Sequence, residues 1–396
     1  MTSENPFALG KDVVSYDFHE EKSLKENLEV VGKDFCPALK VLFQDIEDSL
    51  QQKMKWYQKI AYYAIIKYLG FHVSFFNPAG LRGYIETVAD ICDMHSRKGF
   101  IFYTNLIYDL DARLGEAMPH AKLFGLKNSY KGLLRKACTS VLFIDHSRDS
   151  VVFGSNFDLP FIDLAKLSYH ENYYKNNELI YTAVKLFGTD GAIRGYSHKG
   201  SFFVSLNQRN KRDPNDSFNK YFYELTFGTD LNPTQKVNTV LKSSHTLENA
   251  YDEIQNYGLT SPAYFTIGGV PTMESTSNGC VFERNLDSVN AKYCLNEQDW
   301  FIVQTNFDRD QMDPEPWPRR NAIEKKIKDL WYPNMKKENL YEFLQEEPNF
   351  AHGDPSIDSS WTLITTIGET FYGNNASTFS SVWWDQSKNH KTSLNQ

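Results

Sequence analysis

Cys138 opens the run Cys138-Thr139-Ser140-Val141-Leu142-Phe143, and Asp158 closes the run Gly154-Ser155-Asn156-Phe157-Asp158. A thiol becomes a nucleophile when a base takes its proton, and a carboxylate can hold that base in place. Both groups therefore need a scaffold that brings them to one spot. The apolar run Val141-Leu142-Phe143-Ile144 predicts a strand that begins at the cysteine. His146-Ser147-Arg148-Asp149 has turn chemistry, and Val151-Val152-Phe153 starts a returning strand. Such a hairpin puts Cys138 and Asp158 at the same end.

Taken alone, the pair is a weak signal, because a free cysteine usually packs in a core as a small hydrophobe. The combination of motifs is more specific. Cys-Thr-Ser followed after a hairpin by Gly-X-Asn-X-Asp resembles the start of the catalytic chain in the acid ceramidase and N-acylethanolamine-hydrolyzing acid amidase family of N-terminal-nucleophile amidases. Ser205-Leu206-Asn207-Gln208-Arg209, Pro262 to Gly269, Gly279 to Arg284, Val303 to Arg309 and Arg319-Arg320 follow in the family's order. Gly99 to Tyr108 is similar to the family's segment before the nucleophile, at a longer interval from Cys138. The resemblance spans most of residues 80 to 330.

It implies that the precursor cuts its own Ala137-Cys138 bond, so that Cys138 carries both thiol and α-amine. An α-amine, with a reference pKa of ~7.7 to 8.0, can serve as the general base, and no catalytic histidine is needed. By the same resemblance Cys138 is the nucleophile, and Asp158 holds its α-amine. Asn306 donates to the oxyanion, a role worth ~3 to 4 kcal/mol. Arg319 orders the site through its forked guanidinium.

Two positions depart from the family. Where it usually reads Gly-Arg-Asn-X-Asp, this chain has Ser155 in place of the arginine. A neighbouring cation lowers a thiol's pKa and pairs with the aspartate, and a hydroxyl does neither as well. Arg194 and Arg209 are the candidates to supply that charge from a facing strand. Gln208 stands where acid ceramidase has a glutamate, so it hydrogen-bonds but does not change charge with pH.

The chain has 396 residues, of which 41% are hydrophobic, enough for a large core. A net charge of -8 and a pI near 5.7 exclude a nucleic-acid partner that would need a basic stripe. Cys36, Cys92, Cys138, Cys280 and Cys294 are scattered without a CxxC pair, which indicates neither a zinc site nor a dense disulfide framework. The histidines show no ligand spacing, and no cofactor is implied. Met1 to Pro6 lacks the basic and apolar stretch of a signal peptide, so the numbering starts at a mature or engineered end or the chain is not secreted. The resemblance implies a lysosomal or other acidic lumen. Two triplets, Asn215-Asp216-Ser217 and Asn375-Ala376-Ser377, would accept a glycan only in a secreted chain.

The expected fold is α+β, the αββα sandwich of N-terminal-nucleophile hydrolases: two antiparallel sheets face to face under helices. Residues 1-137 form a mainly helical segment, the α-subunit after scission, and residues 138-396 the catalytic segment, with the subunits staying associated. Leu39, Leu42, Phe43, Ile46 and Leu50 stripe one helix after Pro37, and Ile85, Val88, Ala89 and Cys92 another after Gly83. Strands are expected at 179-187, 200-206, 262-267, 279-284, 299-305 and 361-367, and helices at Thr234 to Tyr257 and Arg319 to Trp331. Trp56 to Leu69 is the candidate membrane-surface contact. Met54, Tyr57, Ala61, Ala64, Ile65 and Tyr68 share one face of it, which favours packing on the catalytic domain instead. The tail after Trp384 is polar.

The leading expectation is an autoprocessing cysteine amidase that hydrolyses the amide of an N-acyl lipid, ceramide-like, to a fatty acid and an amine. N-acylethanolamine is the alternative substrate. A lipid-binding relative with a lost active site is the reading from another class, and a hydrolase of polar amides a third.

Overall fold

The computed structural model describes residues 9–53, 56–76, 80–99, 101–102, 105, 138–145, 150–159, 162–209, 230–256, 258–270, 277–310, 318–330, 332–346, 348–349, 361–371 and 377–385. Ala137, the turn 146–149, the sequon asparagines and the tail beyond 385 lie outside them. Strands β1 (Leu9–Asp12) and β2 (Ser15–His19) precede helices α1 (Leu24–Lys53), α2 (Trp56–Phe76) and α3 (Arg82–Ile91). Cys138 then starts the hairpin of β3 (Cys138–Ile144) and β4 (Ser150–Leu159). Next come β5 (Ser168–Lys175), β6 (Glu178–Leu186), β7 (Arg194–Ser197) and β8 (Phe202–Gln208). Helices α4 (Pro233–Ser243) and α5 (Leu247–Gln255) lead to β9 (Ala263–Gly269), β10 (Gly279–Arg284), β11 (Val289–Cys294) and β12 (Phe301–Gln304). The described chain closes with α6 (Arg319–Leu330), α7 (Lys337–Leu344), β13 (Trp361–Phe371) and β14 (Thr378–Asp385).

These strands form two sheets. The first runs β1-β14-β13-β4-β3-β12 and the second β11-β10-β9-β8-β7-β6-β5-β2. Leu142, Phe153, Phe203, Tyr264 and Val281 interlock between them. On the far side of the first sheet, Val141, Phe143 and Val152 meet Ile323 and Ile327 of α6 and Leu340 and Leu344 of α7. Helices α4 and α5 cover the second sheet with Val237, Leu241, Leu247 and Ile254. Each such side chain, fully buried, contributes ~1.5 to 3 kcal/mol. The layers are helix, sheet, sheet, helix, as expected. Gly154 lets α7 come close, since a Cβ there would lie 2.6 Å from Leu340 Cδ2.

Strand and helix ends differ from the expected ones by a few residues, and several features were not legible. The N-terminal segment is not helical throughout. Its β1 pairs with β14 at the edge of one sheet, and β2 runs parallel to β5 at the edge of the other. Pro37 does not open a helix but lies inside α1. The buried stripe Leu28, Val31, Phe35, Leu39, Leu42 and Phe43 offsets the hydrogen bond that the proline removes. The single helix expected over Thr234 to Tyr257 is two, because the Thr246 hydroxyl accepts from Asn249 N at 3.1 Å and caps a new start.

The cysteines require a correction too: four of the five pair. Cys36–Cys92 ties α1 to the C-terminal cap of α3, and Cys280–Cys294 joins facing positions of β10 and β11. Spacing could not show this, because both pairings are set by the fold.

The expectation that α2 packs through Tyr57, Ala64 and Tyr68 also fails, for all three are exposed. Trp56, Ile60, Tyr63 and Phe71 join them at the surface, Trp56 at 74%. The side chains of Met54, Ala61 and Ile65 lie outside the described set. Among the described residues no helix is long and apolar enough to cross a membrane.

Candidate active site

Pairing of the β3–β4 hairpin sets Cys138 opposite Phe157, so Asp158 follows directly at the same end. Next to β3 runs β12, with Gln304 opposite Ser140, which delivers Asn306 just beyond its end. Arg319 and Arg320 begin α6, whose packing under the sheet aims Arg319 at the start of β3. The four residues singled out in the sequence thus converge, each at most 6% exposed.

The backbone N–H of Cys138 donates to Asn306 Oδ1 at 2.7 Å. Arg319 Nη2 donates to the same oxygen at 3.0 Å, and its Nη1 donates to the Cys138 carbonyl at 3.0 Å and to Thr139 Oγ1 at 3.2 Å. Arg319 also lies 3.5 Å from Asp158 Oδ2. One guanidinium therefore ties together the Cys138 backbone, the Asn306 amide and the Asp158 carboxylate. Asn306 Nδ2 donates to the Gln208 carbonyl at 2.9 Å, so in this state the oxygen of Asn306, rather than its N–H, faces Cys138.

Burial pushes the Cys138 thiol above its ordinary range, and the Asp158 carboxylate adds to that. Arg194, the Asp158 backbone N–H and Arg319 pull it the other way. Cys138 is the one free cysteine of the chain, since the other four are paired.

The two arginines named as possible replacements for the missing cation separate cleanly. Arg209 is committed elsewhere: Nε and Nη2 hold both oxygens of Asp308 at 2.7 and 2.9 Å, and Tyr264 donates to the same carboxylate at 2.7 Å. Arg194 comes to the hairpin, where Nη1 donates to the Ser155 carbonyl at 2.7 Å. Ser155 Oγ lies 3.1 Å from Ser140 Oγ, and Ser140 donates to Asn207 Oδ1 at 2.6 Å.

Sequence reasoning missed the supports supplied by β13. Thr362 Oγ1 donates to Asp158 Oδ1 at 2.7 Å and Thr365 Oγ1 to Asn156 Oδ1 at 2.8 Å. The threonines of β13, set opposite the motif by its pairing with β4, were the available signal. Asn156 Nδ2 in turn donates to the carbonyls of Leu344 and Asn349 at 2.7 and 3.0 Å, anchoring the hairpin to α7 and the turn after it. Among the described residues no group of three or more His, Cys, Asp or Glu is placed to hold a metal ion. A cleft of about 250 Å³ lies elsewhere, lined by Tyr84, Tyr169, Tyr173, Tyr181, Lys185 and Glu171 and not by Cys138.

No protein-family model matches the chain. Among curated proteins, it is 26% identical over 237 residues to N-acylethanolamine-hydrolyzing acid amidase of Oryctolagus cuniculus, a match over 58% of this chain and 60% of the relative. It is 23% identical over 254 residues to acid ceramidase of Macaca fascicularis, over 58% of each. The matched stretch thus spans about three fifths of these relatives' own length. A solved Caenorhabditis elegans ortholog of N-acylethanolamine-hydrolyzing acid amidase superposes with a TM-score of 0.47 at 23% identity, covering 58% of this chain and 92% of that one. Over this stretch the chain is thus similar in sequence to acid ceramidases and N-acylethanolamine-hydrolyzing acid amidases.

Proposed function

We propose that the chain is an autoprocessing cysteine amidase that hydrolyses the amide bond of an N-acyl lipid to a fatty acid and an amine. The observation that carries the reading is the convergence of Asn306 and Arg319 on the backbone of Cys138, with Asp158 beside them. Every buried backbone N–H needs an acceptor, but here a side-chain amide and a guanidinium from two distant segments supply the contacts of the Cys138 nitrogen and carbonyl. That nitrogen becomes the α-amine once the bond before Cys138 is cut, and the Asn306 oxygen already accepts from it.

In scission, Cys138 Sγ attacks the carbonyl carbon of residue 137 and the C–N bond breaks, the thiol proton passing to the nitrogen that leaves as the α-amine of Cys138; water then hydrolyses the thioester, freeing the thiol and the carboxylate of residue 137. In turnover, the α-amine takes the thiol proton and the thiolate attacks the lipid amide. Asn306 Nδ2 gives one hydrogen to the Gln208 carbonyl, and its second hydrogen is the donor for the oxyanion. The protonated α-amine then passes its proton to the leaving amine, and water releases the fatty acid from the thioester. Arg319 holds Asn306 and the start of β3 throughout.

A ceramide-like substrate is our first choice, on the match of Pro262-Ala263-Tyr264-Phe265 and Val303-Gln304-Thr305-Asn306. N-acylethanolamine is the second, favoured by the 26% identity to that amidase against 23% to acid ceramidase. The exposed aromatic surface of α2 supports contact with a membrane that holds such lipids. Two disulfides fit an oxidising lumen. The test is fatty-acid release from both substrates by the purified chain beside Cys138→Ala. Release by the parent alone supports the reading. No release from either substrate by a chain that has been cut contradicts the lipid assignment, and an uncut, inactive chain that binds lipid favours the alternative without catalysis.

A further inference from the structure

Ser155 leaves the hairpin without the arginine that the family motif carries, yet the space it faces is not without a cation. Ser140 and Ser155 are cross-strand partners in the first sheet, and both hydroxyls lie within 3.4 Å of Ser205 Oγ on the facing sheet. Ser205 is the cross-strand partner of Arg194. Cross-strand partners share a face, so Arg194 points into the same gap between the sheets, from the opposite side. Its Nη1 reaches the Ser155 carbonyl at 2.7 Å, and its guanidinium carbon lies 5.9 Å from the ring centre of Phe157, the residue paired with Cys138. Arg194 is fully buried. An arginine at 155 would project from the first sheet into the volume that Arg194 enters from the second.

We infer that Arg194 is the positioning cation of this site: the charge has moved from the hairpin to β7 of the facing sheet, and the small Ser155 makes room for it. The inference rests on Cys138 being the nucleophile. Arg194 does not touch the reacting atoms. It acts by holding the Ser155 carbonyl, and so the strand that carries Asp158, and by placing positive charge beside the thiol as it ionises. The groups facing that thiol are Asp158, Arg319, Arg194 and, after scission, its own α-amine. Asp158 opposes ionisation and both arginines favour it.

The test exploits Cys138 being the only free thiol. Its alkylation by iodoacetamide is followed by intact mass from pH 5 to pH 10 in the full chain, with Arg194→Lys, Arg194→Met, Ser155→Arg and the exchange S155R/R194S. A nearby positive charge favours the thiolate, so Arg194→Met should raise the pH of half-maximal alkylation above the parent's. Arg194→Lys should fall between it and the parent. Ser155→Arg alone should lose activity at least tenfold, because two guanidinium groups would crowd one gap. S155R/R194S should return the alkylation profile to within half a unit and scission to within several-fold.

A folded Arg194→Met with an unshifted profile overturns the inference. If that variant does not fold, the exchange decides: recovery of fold and profile supports the relocation, and failure of either overturns it. Because alkylation needs no turnover, an inactive parent chain would count against the proposed amidase and leave this readout intact.

Discussion

Thr362→Val removes one hydroxyl and keeps the branched shape that suits β13. The Thr362 hydroxyl donates at 2.7 Å to Asp158, and both residues are fully buried, so no water replaces it. A hydrogen bond to a charged acceptor is worth ~1.5 to 3 kcal/mol, and Arg319, 3.5 Å from the other carboxylate oxygen, does not replace it. If the whole loss falls on the ordering of the nucleophile, scission slows roughly 10- to 150-fold at ~1.4 kcal/mol per decade. The assay is the rate of appearance of the cut chain by intact mass, beside urea unfolding of the Cys138→Ala form to separate stability from chemistry. Thr362→Ser keeps the hydroxyl and should stay within a few-fold of the parent. A Thr362→Val chain that is cut at the parent's rate with an unchanged urea midpoint refutes the reasoning.

Four other outcomes follow from the geometry. Burial holds the His170 imidazole down at about 4, so the fold binds fewer protons there than the unfolded chain. This contribution is present above pH 6.5 and is lost as pH falls toward 4, on the order of 3 kcal/mol in all, and His170→Gln should flatten that stretch of the stability profile. Gly154→Ala would drive a methyl into Leu340 and Leu344 and should cost ~1 to 3 kcal/mol by urea unfolding. Both disulfides lie on one side or the other of the bond before Cys138, so cut chains should separate on a denaturing gel without reductant. Losing Cys36–Cys92, with a sequence separation of 56, should cost ~4 kcal/mol.

The site was legible where chemistry is written into short motifs. The Cys138–Asp158 hairpin could be read from an apolar run, a polar turn and a second run, because both strands are buried between layers. Asn306 and Arg319 could be placed only by resemblance, since nothing local to them says that β12 lies beside β3. Thr362 was out of reach for the same reason: it meets Asp158 across 204 residues of sequence, and a threonine in a strand has many uses. In the N-terminal segment, β1 and β2 are short and partly polar, and only pairing at the sheet edges makes them strands. Pro37 misled because a proline is a good local signal that long-range burial overrode. On α2 the helix was legible but its surroundings were not, for an apolar face in the sequence looks alike whether or not a core covers it.

The most direct test of the account is intact mass of the purified chain after incubation at acidic and neutral pH, with Cys138→Ala in parallel. A cut before Cys138 leaves 137 of 396 residues on one side, about a third of 45.8 kDa, so pieces of about 16 and 30 kDa are predicted, from the parent only. A parent chain that stays whole under every condition, or a Cys138→Ala chain that is cut at the same bond, would contradict Cys138 as the self-processing nucleophile.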